Sequence, residues 1–184
     1  MFFGLIHSGT QPIPSVAELT NRAVVLSGLS KTYGLPGLRT GWLVVRDDAL
    51  RQNLLNWKFY TSICPPAPSE FLAMVAWQVR NQLRDKNIAL IEANLAEFES
   101  FLGRWAGLFE WKRPFSGSTA LVGINVPSAT ALSEALAAEA GVLIHPATTL
   151  GGTDQQMRMG FGRAAFPEAL TQFEAYLQNH PVRA

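Results

Sequence analysis

Gly28-Leu29-Ser30-Lys31-Thr32-Tyr33-Gly34-Leu35-Pro36-Gly37-Leu38-Arg39-Thr40-Gly41-Trp42 is the stretch on which the fold turns. It follows a short apolar run, Ala23-Val24-Val25-Leu26, and leads into a second, Gly41-Trp42-Leu43-Val44-Val45. Short apolar runs bounded by turn residues are the pattern of buried parallel strands. The expected order is strand, loop, strand, with Lys31 in a polar turn just past the first strand. A lysine stem can be held there while its amine points into a cleft, a placement that favours ligand chemistry. Taken alone, Lys31 would pass for an ordinary solvated lysine, and only its neighbours distinguish it.

Outward from this stretch, the pattern turns helical after Asp47, and Pro65, Pro66 and Pro68 interrupt it. An apolar segment from Phe71 to Leu83 predicts a helix that Ser69 could cap. Ile88, Ile91, Leu95, Phe98 and Leu102 recur at steps of three and four, while Glu92, Glu97 and Glu99 fall on other faces. That spacing predicts an amphipathic helix of roughly four to five turns. After Gly103 the character changes. Leu121 to Ile124 reads as a strand, an Ala- and Leu-rich helix begins near Thr130 and stops at Gly141, and Val142-Leu143-Ile144 and Met157 to Phe161 read as two more strands. A last helix starts near Pro167 and buries Leu170, Phe173 and Leu177. The sum is a small α+β domain joined to part of a parallel α/β sheet.

Composition narrows the function. With 15 basic and 14 acidic residues spread along 184, there is no basic stripe to follow a phosphate backbone, so nucleic acid is not an expected partner. Cys64 is the single cysteine, which rules out an internal disulfide and a cysteine-rich zinc site. It reads as a buried small hydrophobe. No metal site is expected. No apolar run reaches the ~18 residues of a membrane span, and Met1 to Ile6 lacks the basic start of a signal peptide. The expected location is the cytoplasm, with no membrane partner.

The string from Gly28 to Trp42 resembles the cofactor-lysine signature of the class I and II aminotransferases, pyridoxal-phosphate-dependent enzymes of fold type I. Gly28, Ser30, Lys31, Gly34, Arg39 and Gly41 fall in that family's register. The resemblance implies that Lys31 is the catalytic residue. Its amine would bond to the aldehyde of pyridoxal 5′-phosphate and, once displaced, move a proton at the substrate Cα. It further implies that Arg39 meets the cofactor phosphate with a fixed fork of donors and that the Ser30 hydroxyl adds a hydrogen bond. Many members carry a phosphate-binding serine three residues before the lysine. Gly28 stands there, so that contact is not carried over.

Met157-Arg158-Met159-Gly160-Phe161-Gly162-Arg163, followed by Phe166-Pro167-Glu168-Ala169-Leu170, resembles the family's strand and closing helix near the C-terminus. Arg158 takes the position that grips the substrate α-carboxylate, a role suited to a bidentate guanidinium. Arg163 reads as an arginine in a structural ion pair. Gly141-Val142-Leu143-Ile144-His145-Pro146 resembles a small-domain segment that relatives continue with Pro-Gly. Here Ala147 replaces that glycine, and His145 is read as structural. Tyr60-Thr61-Ser62 resembles a stretch that in relatives can face the cofactor of the partner subunit.

The resemblance implies the later half of such an enzyme: residues 1–60 as the end of the large cofactor domain, with a partial, mostly parallel sheet, 61–104 as interdomain helices, and 105–184 as a small α+β C-terminal domain. Met1 to Leu5 resembles the tail of an Asp-x-x-Tyr element with Phe2 at the tyrosine position, so the chain is expected to begin at an internal methionine. The implied activity is transamination between an amino acid and a 2-oxo acid, in a homodimer. The alternatives are a lyase or synthase of the same fold, or a non-catalytic fragment derived by truncation or from a regulator. Alone, the fragment is expected to be inactive and to expose apolar faces.

Overall fold

The structure is a computed structural model that describes residues 3–180; Phe2 lies outside the described residues. The chain divides into two compact units, Met1–Ile88 with Phe115–Gly117, and Ala89–Pro114 with Ser118–Ala184.

In the first unit a short helix α1 (Val16–Leu19), capped by the Ser15 hydroxyl, leads to β1 (Val24–Gly28). A loop containing one 3₁₀ turn (Pro36–Leu38) carries the chain to β2 (Gly41–Val45). The two strands pair antiparallel from Val24↔Val45 to Gly28↔Gly41. The expected parallel sheet is therefore corrected for this pair. An apolar run records burial but not the direction of its neighbour. A parallel partner needs a crossover of a dozen or more residues, usually helical, and the segment between these strands holds no such helix. The strands are also not buried on both faces, since Val24, Leu26, Leu43 and Val44 are exposed.

Helix α2 (Asp48–Thr61) begins where the Asp47 carboxylate accepts the Leu50 N–H at 2.8 Å. Helix α3 (Ala67–Gln78) begins after Pro66 with Pro68 in its first turn, so Ser69 lies inside the helix and is not its cap. Cys64, between them, is exposed rather than buried, because no element covers that connection. Residues 115–117 join this unit through an Ile6–Ser116 bridge and a 2.8 Å bond between His7 Nε2 and the Gly117 carbonyl.

Helix α4 (Arg80–Arg104) starts in the first unit and continues into the second. At 25 residues it is longer than the four to five turns read from the periodicity, because its first turns lack the apolar stripe. The second unit is a four-stranded antiparallel sheet in the order β3 (Phe109–Glu110), β4 (Thr119–Ile124), β6 (Gln156–Gly160), β5 (His145–Pro146). One face of the sheet, through Val122, Ile124, Met157 and Met159, is buried with Ile91, Leu95, Phe98 and Phe101 of α4. Helix α6 (Phe166–Asn179) adds Phe166, Leu170, Phe173 and Leu177 to this core. Phe98 sits among Phe101, Phe161, Phe166 and Trp111 at ring separations of 5.1–6.3 Å. Helix α5 (Ala129–Ala135) runs on as a π turn to Ala140 and ends at Gly141 in a left-handed conformation. Val142-Leu143-Ile144 is not a strand as expected. Its backbone turns to α5 instead, with Val142 N–H donating to Leu136 and the Ser133 hydroxyl donating to the Ile144 carbonyl.

Candidate functional site

Ser30, Lys31 and Arg39 lie in the one loop that joins β1 to β2. The ladder runs past Gly28↔Gly41 with Leu29 N–H donating to the Thr40 carbonyl at 3.2 Å. The intervening turn is closed by Gly34 N–H to the Lys31 carbonyl at 3.3 Å and Leu35 N–H to the Leu29 carbonyl at 3.0 Å. Gly34 has φ +67°, a conformation that strains any residue with a Cβ.

Two residues that the sequence reading passed over hold the turn. The Asn87 amide, in the first turns of α4, donates to the Lys31 carbonyl at 2.8 Å and to the Thr32 carbonyl at 3.3 Å. Thr32, 1% exposed, donates its hydroxyl to the Phe3 carbonyl at 2.8 Å. The backbone around Lys31 is thus tied from two sides while the Lys31 side chain is exposed. Tyr33 packs edge-on against Trp77 of α3 at 6.0 Å, and Trp42 meets the same indole at 5.6 Å.

Arg39 is exposed and has φ 52°, left-handed for a residue that is not glycine. Such conformations cost on the order of 1–3 kcal/mol and concentrate at functional sites. One guanidinium nitrogen, Nη1, donates to the Pro36 carbonyl at 3.1 Å, so the side chain folds over its own loop with its remaining donors unused by that bond.

Arg158 belongs to the second unit. Alternation along β6 turns Met157 and Met159 into the core and Arg158 to the exposed face, where the register sets it between Leu121 of β4 and His145 of β5. It lines a cleft of about 370 Å³ with His145, Arg163 and the buried side of α6. Asn94, 2% exposed, donates to the carbonyls of Phe161 and Arg163, both at 2.8 Å, and so fixes the chain beyond β6. A polar residue three after Ile91 and four before Phe98, inside an apolar stripe, was the signal for it in the sequence. Arg163 makes no ion pair among the described residues, contrary to expectation, because no carboxylate borders its position in the cleft. Among the described residues no cluster of His, Cys, Asp and Glu could hold a metal, and no helix is long and apolar enough to cross a membrane.

This α/β architecture, a lysine turn followed by a small antiparallel domain, is that of the C-terminal part of fold type I pyridoxal-phosphate enzymes. The chain belongs to the family described as aminotransferase class I and II, whose profile matches residues 1–172. It is 30% identical over 161 residues to capreomycidine synthase from Streptomyces vinaceus, covering 87% of this chain and 41% of that protein. It is 32% identical over 78 residues to valine–pyruvate aminotransferase from Mycobacterium tuberculosis, 42% of this chain and 20% of that one. A PLP-dependent aminotransferase of known structure from Streptococcus suis superimposes with a TM-score of 0.86 at 25% identity, over 97% of this chain and 48% of the other. The chain thus spans about half the length of the relatives it matches.

The cofactor of this family is pyridoxal 5′-phosphate. The loop between β1 and β2 carries residue types that fit it by their chemistry: an exposed lysine whose amine can bond to an aldehyde, and a serine hydroxyl and an arginine guanidinium that can donate to a phosphate.

Proposed function

We propose that this chain is the cofactor-lysine and carboxylate-binding part of a cytoplasmic enzyme that transfers an amino group from an amino acid to a 2-oxo acid, working as a homodimer when intact. In this reading residues 1–60 close the large cofactor domain, 61–104 form interdomain helices and 105–184 make the small domain. Tyr60, 90% exposed at the end of α2, would with Thr61 and Ser62 face the cofactor of the partner subunit.

Pyridoxal phosphate, when bound, supplies the electron sink that makes the substrate Cα acidic. Lys31 Nζ would hold the cofactor's aldehyde and would carry the proton at the substrate Cα. The Ser30 hydroxyl and the Arg39 guanidinium would hold its phosphate. Arg158 grips the substrate carboxylate by two parallel hydrogen bonds and so aims the Cα–H bond. The observation that supports this reading is that Ser30, Lys31 and Arg39 share the one loop between β1 and β2, whose ladder continues to the Leu29 N–H and the Thr40 carbonyl.

Treating the chain with pyridoxal phosphate, reducing with borohydride and mapping peptides tests it. Label concentrated on Lys31 and absent from Lys31→Ala is the expected outcome; label spread evenly over Lys31, Lys58, Lys86 and Lys112 counts against it. A second reading, a synthase of the same fold that uses the same lysine and arginine, is favoured by the similarity to capreomycidine synthase over 87% of the chain. Product analysis of the intact enzyme with an amino acid and a 2-oxo acid separates the two, since only transamination returns a new amino acid and a new oxo acid.

A further inference from the structure

Water meets the carbonyls of an exposed loop at little cost, so a side chain that reaches them from a distant helix contributes position more than pairing. The turn after β1 receives such a side chain. Asn87, half-buried on α4, donates from Nδ2 to the Lys31 carbonyl at 2.8 Å and to the Thr32 carbonyl at 3.3 Å. The Lys31 carbonyl already accepts the Gly34 N–H at 3.3 Å, and so does not depend on Asn87 for a partner. Gly34 lies against the same amide, since a Cβ there would stand 3.7 Å from Asn87 Cγ.

Both peptide groups that follow Lys31 are therefore bonded to one nitrogen. Thr32, between them, is buried and donates its hydroxyl to the Phe3 carbonyl. On the other side of Lys31, Leu29 donates its N–H to Thr40 at 3.2 Å and accepts the Leu35 N–H at 3.0 Å. The backbone at a Cα sets where its Cβ points, whereas the four-carbon lysine stem beyond it is flexible. These bonds do not hold the amine; they set the region of space that it can search. Asn94, seven residues on, makes the same pair of bonds in the second unit, to the Phe161 and Arg163 carbonyls, both at 2.8 Å.

We propose that Asn87 is a positioning residue for Lys31. Its amide holds the two peptide groups after Lys31 so that the stem leaves the loop in one direction, which raises the fraction of encounters in which Nζ meets an aldehyde. The proposal rests on the reading of Lys31 given above. Asn87 acts through the lysine's backbone and touches no ligand itself.

Trapping pyridoxal phosphate on the full 184-residue chain tests it. A C=N bond forms between Lys31 Nζ and the aldehyde carbon, and the aldehyde oxygen leaves as water with two hydrogens of the amine. Borohydride then delivers a hydride to that carbon while water gives the nitrogen its proton. The readout is the label on Lys31 relative to Lys58 and Lys112 of the same molecule. Asn87→Ala should lower that ratio about fivefold, and Asn87→Gln, which keeps the amide on a longer stem, should restore part of it. Asn94→Ala, which removes the same two bonds from the unit without Lys31, should leave the ratio as it was. If Asn87→Ala loses its helical far-ultraviolet signal, Asn87→Ser, with one donor, is read in its place and should lower the ratio about twofold. A ratio that survives loss of the amide, or that falls equally in Asn94→Ala, overturns the role of Asn87 and leaves that of Lys31 standing. A wild-type chain with no excess label on Lys31 overturns both.

Discussion

A lysine that is to bond covalently with a ligand must keep its amine accessible while its backbone stays still. Here the stillness comes from neighbours: Asn87 donates to two carbonyls of the turn, Thr32 is buried and bonded, and Gly34 takes the positive φ that closes it. Asn87→Asp preserves the shape of the side chain but removes both donated hydrogen bonds and sets a carboxylate against carbonyl oxygens. We expect it to destabilise the chain by about 1–2 kcal/mol in urea unfolding and to speed amide exchange at Gly34 and Leu35, while Asn87→Ser, which keeps one donor, loses less. Unchanged exchange at Gly34 would show that the turn stands without α4. The Lys31 motif was legible from the sequence because its chemistry fixes residue types at fixed spacing. Asn87 and Thr32 were not, because any donor arriving from a distant helix or any buried hydroxyl could serve, and their partners are backbone atoms that every residue has.

At the scale of elements, the periodicity of α4 and α6 gave the second unit's core correctly through Ile91, Leu95, Phe98, Leu170, Phe173 and Leu177. Strand direction was not legible, since Val24 and Leu26 read the same beside a parallel or an antiparallel neighbour. Nor was the loss of Val142 to Ile144 from the sheet, which depends on α5 competing for their backbone groups. The start of α5 carries its own acid sensitivity. The hydroxyls of Thr130 and then Ser128, with the Thr130 N–H at 2.9 Å, hold the Asp154 carboxyl below its ordinary range. Because the folded-state value is depressed, this contribution to stability is fully present above the unfolded-state value and fades as pH falls through the folded one. Glu174, held down chiefly by its hydrogen bond from Arg104 and next by the Trp105 indole, shifts in the same direction. Unfolding midpoints recorded from neutral pH into acid should therefore drop below the normal carboxylate range. Asp154→Asn should flatten that drop; an unaltered acid limb would remove Asp154 from the account.

For the whole molecule, the polar and apolar surfaces are unevenly shared. In the first unit α2 and α3 leave Trp57 at 68% exposure, Phe71 at 64% and Met74 at 66%, and the strands leave Leu26 and Leu43 uncovered. Exposed apolar side chains in this number favour association. Sedimentation of the chain should show concentration-dependent self-association at micromolar levels, and the pair Trp57→Ser and Phe71→Ser should shift it toward monomer by about tenfold in concentration. A chain that remains monomeric throughout would mean these faces are self-sufficient.

The contact of Tyr33 and Trp42 with the Trp77 indole has an optical consequence. Tyr33 is two residues from Lys31, so the turn that would bear a near-ultraviolet chromophore lies beside a natural fluorescent donor. Light absorbed by Trp77 would pass by dipole coupling to a group tethered at Lys31 whose absorption overlaps the indole emission, and that emission would dim as the tether forms. With Lys31 as the tethering residue, the protein would carry its own reporter of occupancy there, readable without substrate and without turnover.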